Sequence, residues 1–89
     1  MLLAFDIGNS DITAGLWKDN DWKHIWRIPS RPDLPKLYFV VKIRDYFFES
    51  STDLKLVNTI VLSSVVPAMT DKIKSVSRTL FDKEPIVLG

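Results

Sequence analysis

With 12 Lys and Arg against 11 Asp and Glu among 89 residues, and 46% apolar side chains, the chain has the composition of one small globular domain with a formal charge of +1. Interspersed charges exclude the strongly cationic face of a nucleic-acid binder, and the absence of cysteine excludes a disulfide scaffold, a thiolate zinc site and a cysteine nucleophile. A chain this short buries only about 60–65% of the surface its unfolded form exposes, so support from another segment or subunit is expected.

The opening MLLAFDIG has no basic n-region, and its apolar run stops at Asp6, short of the ~7–15 residues of a secretory core. No apolar stretch approaches the ~20 residues of a membrane span. A cytoplasmic protein with no membrane or nucleic-acid partner is expected.

Residues 2–5 form a short apolar run closed by Asp6, Gly8 and Asn9, the pattern of a buried strand ending at a turn. Residues 11–17 alternate, with Ile12, Ala14 and Leu16 on one face and Thr13, Gly15 and Trp17 on the other, which predicts a second strand. After the polar loop 18–21, residues 22–28 alternate again and place Trp22, His24, Trp26 and Ile28 on a common face. Three prolines in 29–35 disfavour helix and predict an irregular connection.

Between Lys36 and Glu49, Leu37, Val40, Val41, Phe47 and Phe48 recur at helical spacing, and Phe39, Ile43 and Tyr46 widen the apolar stripe. A small domain cannot hide a helix apolar on more than half its circumference, so one side is expected to meet a second subunit. Residues 57–66 read as a central strand covered on both sides, ended by Pro67. A helix from about Met69 or Thr70 follows, with Met69, Ile73, Val76 and Leu80 inward and Lys72, Lys74 and Arg78 wet. Residues 85–88 open a further apolar strand. The order β-β-β-α-β-α-β predicts an α/β fold, a mixed sheet covered by helices and incomplete at the carboxyl end.

Chemistry concentrates in Asp6-Ile7-Gly8-Asn9-Ser10-Asp11-Ile12-Thr13, at the turn between the first two strands. An acidic residue at a strand end can hold Mg²⁺ directly or through water. A glycine lets backbone approach phosphate, and turn N–H groups with a hydroxyl donate to phosphate oxygens. There is no Walker lysine, so this is not a P-loop. The same residues also make ordinary hairpin chemistry, and on the residues alone both readings stand.

The ordered set MLLAFDIGNSDITAGLW, Trp26-Arg27-Ile28, Ser63-Ser64-Val65-Val66-Pro67 and Glu84-Pro85-Ile86-Val87-Leu88-Gly89 resembles the amino-terminal half of type III pantothenate kinases. These enzymes belong to the acetate kinase, sugar kinase, Hsp70 and actin superfamily. The resemblance implies a ribonuclease-H-like, actin-like ATPase domain over residues 1–89, the nucleotide-binding half of a two-domain kinase. It also implies ATP-dependent phosphorylation of pantothenate, the first step towards coenzyme A, with Mg²⁺ and a monovalent cation, K⁺ or NH₄⁺, in a homodimer.

Carried across, Asp6, Ile7, Gly8, Asn9, Ser10, Asp11, Ile12 and Thr13 form the ATP-binding loop. Asp6 organises metal and phosphates, and Asn9 also lies near pantothenate. Ser10 stands where the family usually has Thr, which keeps the hydroxyl, and residues 29–36 depart from the family pattern. The expected catalytic aspartate belongs to a Gly-Ala-Asp-Arg type motif that these residues do not contain, so the chain by itself is expected to be inactive. A non-catalytic regulatory protein on the same fold, and a superfamily kinase with another small acceptor, are the alternatives.

Outside the loop the structural readings are favoured. Trp17, Trp22 and Trp26 read as core or interface anchors and His24 as a partly exposed surface residue. Arg44 snorkels from the apolar helix or pairs with a carboxylate across a subunit contact, and Ser63 and Ser64 face a cleft without any base to activate them. Asp11 reads as a solvated turn residue.

Overall fold

The computed structural model describes residues 1–89 and contains β1 (Leu2–Ile7), β2 (Asp11–Lys18), β3 (Asp21–Pro29), α1 (Lys36–Glu49), a 3₁₀ turn (Leu54–Leu56), β4 (Thr59–Ser64), α2 (Pro67–Phe81) and β5 (Ile86–Leu88). The expected order is present. Strands run β3-β2-β1-β4-β5 across one mixed sheet, antiparallel from β3 to β1 and parallel from β1 to β5.

Strand alternation decides what each face does. Leu3, Phe5 and Ile7, Ile12, Ala14 and Leu16, Ile28, and Ile60 and Leu62 are buried on one face. They join Phe39, Val40, Ile43 and Phe47 of α1 and Met69, Ile73 and Val76 of α2 in a single core. Both helices therefore cover the same face. The other face, carrying Asp6, Ile25, Arg27 and Ser63, is exposed at each of these positions. This corrects the expectation for β4, which is covered on one side only: Val61, on its second face, is half-buried.

The β2–β3 hairpin turns at Asp19 and Asn20, whose φ values of 55° and 62° are the left-handed pair a type I′ turn requires. Pairing then slips: Trp17 faces Trp22 but Leu16 faces His24, so Lys23 is an extra residue in a β-bulge. The period of two breaks there, and Trp22 does not share a face with His24, Trp26 and Ile28 as expected. It lies instead on the open face, edge-on to Trp17 with ring centroids 5.1 Å apart. His24 and Trp26 remain together, stacked 5.6 Å apart, and Tyr46 of α1 continues the column at 5.4 Å. The Tyr46 hydroxyl donates to the Arg27 carbonyl at 2.9 Å, which fixes α1 against β3.

α2 begins at Pro67, earlier than expected. Proline's fixed φ suits the first helical turn, where its missing N–H is no loss, so the residue that ends β4 also starts the helix. Lys72 is not simply wet: its ammonium donates to the Pro32 carbonyl at 2.7 Å and to that of Leu34, tying down the proline-rich connection. Asp82, left-handed at φ 54°, caps the helix end.

Beyond that cap, the Arg78 guanidinium grips both carboxylate oxygens of Glu84, with Lys74 3.7 Å away. The Arg78 hydrogen bonds hold the Glu84 carboxyl below its ordinary value of 4.5. A depressed acid stabilises the fold above its unfolded pKa and ceases to do so as pH falls through its folded pKa. Glu84→Gln should therefore be closest to native in stability in strong acid and furthest from it at neutral pH. Thermal melts from pH 7 down to pH 2 check this.

Candidate phosphate-binding site

Asp6 lies on the open face because its neighbours Phe5 and Ile7 must point into the core. Register then sets its company. Asp6 pairs with Thr13 on β2 and with Ser63 on β4, and Thr13 pairs in turn with Arg27 on β3. Arg27, Thr13, Asp6 and Ser63 thus form one polar row across four strands, a carboxylate with a hydroxyl on either side. It lies one residue below the turn that follows Ile7.

That turn is pinned at three points. The Ile7 carbonyl accepts from Val65 N–H at 3.1 Å, Gly8 N–H donates to the Asp11 carbonyl at 2.9 Å, and the Ser10 carbonyl accepts from Ser30 N–H at 3.0 Å. No residue of 8–10 has positive φ, so the glycine is not there for left-handed backbone. It is there for close approach: a Cβ at Gly8 would sit 3.1 Å from the Asp11 carbonyl oxygen. Asn9 and Ser10 stand exposed at the tip.

Of the eight predicted loop residues, Asp6, Gly8, Asn9, Ser10 and Thr13 come together around the turn and the row beneath it. Ile7 and Ile12 are fully buried, so only their main chains can serve a ligand. Asp11 is exposed and 3.9 Å from Arg27, at the rim rather than the centre. Ser64 serves the fold, its hydroxyl accepting from Val66 N–H at 3.0 Å at the entry to α2. Its neighbour Ser63 is the residue set opposite Asp6 in the parallel register. Sequence reasoning placed Ser63 no more closely than facing a cleft, because its nearness to Asp6 depends on a parallel register between segments more than fifty residues apart.

The polar row forms one wall of a cleft of about 280 Å³ on the open face, where Asp6, Thr13 and Ser63 meet the apolar Gly15, Trp22, Ile25 and Leu88. Trp22 covers Gly15 so closely that a Cβ there would come within 2.7 Å of the indole. A larger hollow, about 500 Å³, lies at the end of α1 around Arg44, Asp45, Phe48 and Leu54. Its lining holds no glycine turn and none of the Asp6–Thr13 residues, whereas the smaller cleft holds Asp6 and Thr13.

The arrangement suits an anion accompanied by a divalent cation. Mg²⁺ is commonly held by one or two carboxylates together with phosphate oxygens and water, and a single exposed Asp6 flanked by hydroxyls fits that donor set. No group of three or more His, Cys, Asp or Glu side chains converges anywhere in the chain, so an all-protein metal cage is not part of this structure.

Comparison with known proteins gives the family. The family model for type III pantothenate kinase matches residues 2–89. The type III pantothenate kinase of Syntrophobacter fumaroxidans is 32% identical over the whole chain, which covers 34% of that protein. That of Moorella thermoacetica is 30% identical and that of Geotalea daltonii 29%, each with 35% of its length covered. The chain thus spans about a third of the length of these relatives. A crystal structure assigned as an N-acetylglucosamine kinase from Porphyromonas gingivalis superimposes with a TM-score of 0.67 over 98% of this chain and 33% of its own, at 10% identity, and shares the fold alone. On the family match across all but its first residue, the chain belongs to the type III pantothenate kinase family.

Proposed function

We propose that residues 1–89 are the amino-terminal nucleotide-binding domain of a two-domain, cytoplasmic kinase that transfers the γ-phosphoryl group of ATP to pantothenate. The observation that carries this reading is Asp6, set between Thr13 and Ser63 beneath a backbone-pinned turn, in a chain of this family.

Asp6 would hold Mg²⁺, directly or through water, with Thr13 and Ser63 as the nearest hydroxyls. The bound ion supplies charge neutralisation along the phosphates. Asn9 and Ser10 donate to phosphate oxygens from the exposed tip, Gly8 keeps the turn tight against the Asp11 carbonyl, and Asn9 also faces the acceptor. Phosphoryl transfer asks little covalent work of a protein, so these residues act by positioning and by stabilising charge. The catalytic aspartate and the ligands of a monovalent cation, K⁺ or NH₄⁺, are assigned to the remaining length of the relatives.

A second reading, a nucleotide-binding accessory protein, is favoured by one observation: Asp6 is the only carboxylate on the polar row. The protein purified from its own cells under a native promoter, with whatever polypeptide accompanies it, separates the two. Pantothenate-dependent ADP release is expected. ADP release with a sugar or acetate and none with pantothenate, or nucleotide binding without turnover, contradicts the leading reading.

The homodimer expectation is proposed for the outer side of α1, where Leu37, Val41 and Phe48 recur at helical spacing and are 67%, 44% and 87% exposed. Sedimentation at tens of micromolar should find a dimer that Phe48→Asp converts to monomer, and a native monomer at that concentration contradicts the assignment.

A further inference from the structure

Two polar residues are buried, and they are treated differently. Ser77 is fully enclosed in α2, and its hydroxyl donates to the Ile73 carbonyl at 2.8 Å. Ser30 is 6% exposed, and its Oγ is the one buried side-chain oxygen or nitrogen in the chain without a hydrogen-bond partner. Natural folds satisfy buried hydroxyls because an unpaired one loses its hydration and regains nothing. An orphan therefore calls for a state in which it is paired.

Its position identifies that state. Ser30 directly follows β3, whose last residue Pro29 pairs with Asp11, and its own N–H is the donor that pins the Ser10 carbonyl. The orphan hydroxyl thus belongs to the residue that anchors the second arm of the turn. The first arm is anchored through Val65 by backbone alone. Only at Ser30 does the anchor carry an unused polar atom.

We propose that Ser30 is a positioning residue for the phosphate loop: when a magnesium-bound polyphosphate occupies the turn, the Ser30 hydroxyl pairs with the backbone of Asn9 and Ser10 and holds Ser10 towards phosphate. The inference rests on the phosphate-loop reading above and adds to it a residue that need not touch the ligand. It also accounts for a buried serine that sits between half-buried Pro29 and exposed Arg31.

An orphan and an ordinary structural hydroxyl predict different ligand-free stabilities, which makes the test direct. Ser30→Ala removes an unpaired group, so the melting temperature without ligand should stay within about 4 °C of native or rise. Its dissociation constant for Mg-ATP should weaken by roughly threefold to tenfold, the worth of one hydrogen bond formed only in the bound state. Mg-tripolyphosphate should show the same loss, because the effect acts on phosphate, and Ser30→Thr should bind as native does. Calorimetric titration of the 89-residue chain reads the affinities, and a thermal melt of the ligand-free chain reads the melting temperature. Unchanged affinity in Ser30→Ala overturns the inference while leaving the phosphate loop intact. A ligand-free melting temperature lower by more than that margin overturns it too, by making the hydroxyl a structural one. A native chain that binds neither probe removes the phosphate-loop reading and this inference with it.

Discussion

Asp6→Ala should leave the unliganded domain as stable as native and remove most of its response to Mg-ATP. The side chain is exposed on a strand end, and surface substitutions away from caps and core features usually fall within about 0.5 kcal/mol. Binding is another matter, because Asp6 is the only carboxylate on the polar row and no neighbour can replace it. Mutating a group that only orients a metal's ligands commonly costs about 10–100-fold in affinity, and a carboxylate that holds the metal should cost no less. At a ligand concentration one hundred times the native dissociation constant, mass action stabilises the native chain by about 2.7 kcal/mol, a rise of roughly 10–20 °C for a domain of this size. A variant that binds one hundred times more weakly gains only about 0.4 kcal/mol, or roughly 2–3 °C. Thermal denaturation with and without Mg-ATP measures both, and an Asp6→Ala chain with a native ligand response would displace Asp6 from the site.

Phe47→Ala should cost about 3–5 kcal/mol, the range for deleting a large aromatic from a core. Phe47 is 1% exposed and bridges the sheet and both helices, with ring centroids 5.5 Å from Trp26 and 5.6 Å from Phe81. A domain of this length has a total stability of roughly 4–13 kcal/mol, so the variant should melt at least 12 °C lower and at the stable end of that range still fold. The adjacent Phe48→Ala supplies the control. That side chain is 87% exposed, and its loss should leave monomer stability within about 0.5 kcal/mol. Two neighbouring phenylalanines on one helix thus differ several-fold in consequence, because one faces the core and the other faces outward. Equal costs at the two positions would contradict the orientation of α1.

The same helix shows how far sequence reasoning reaches. The bounds of α1 follow from its apolar spacing, yet spacing alone does not say which half of a greasy circumference turns inward; the sheet decides that. Asp6 was legible because a strand's period of two forces it opposite Phe5 and Ile7. Trp22 was not, because the period breaks at Lys23 and a bulge carries no local sequence mark. Pro67 was read as a stop when it is also a start, since the first turn of a helix tolerates the ring that ends a strand. The one-sided cover of β4 escaped because Ile60, Val61 and Leu62 are all apolar, and the sheet leaves the middle one on its open face. Ser63 and Ser30 belong to a third class. Their residue types were plain, but their nearness to the loop arises from pairings between distant segments, which no local pattern contains.

The most direct measurement of the central claim is an amide chemical-shift map of the 89-residue chain, titrated with Mg-ATP. The account predicts the largest perturbations at Asp6, Asn9, Ser10 and Thr13, with smaller ones at Ser30 and Ser63 on the flanking segments. Perturbations confined to the apolar end of the cleft at Gly15, Trp22, Ile25 and Leu88, or to the hollow beside α1, or none at saturating nucleotide, would contradict it.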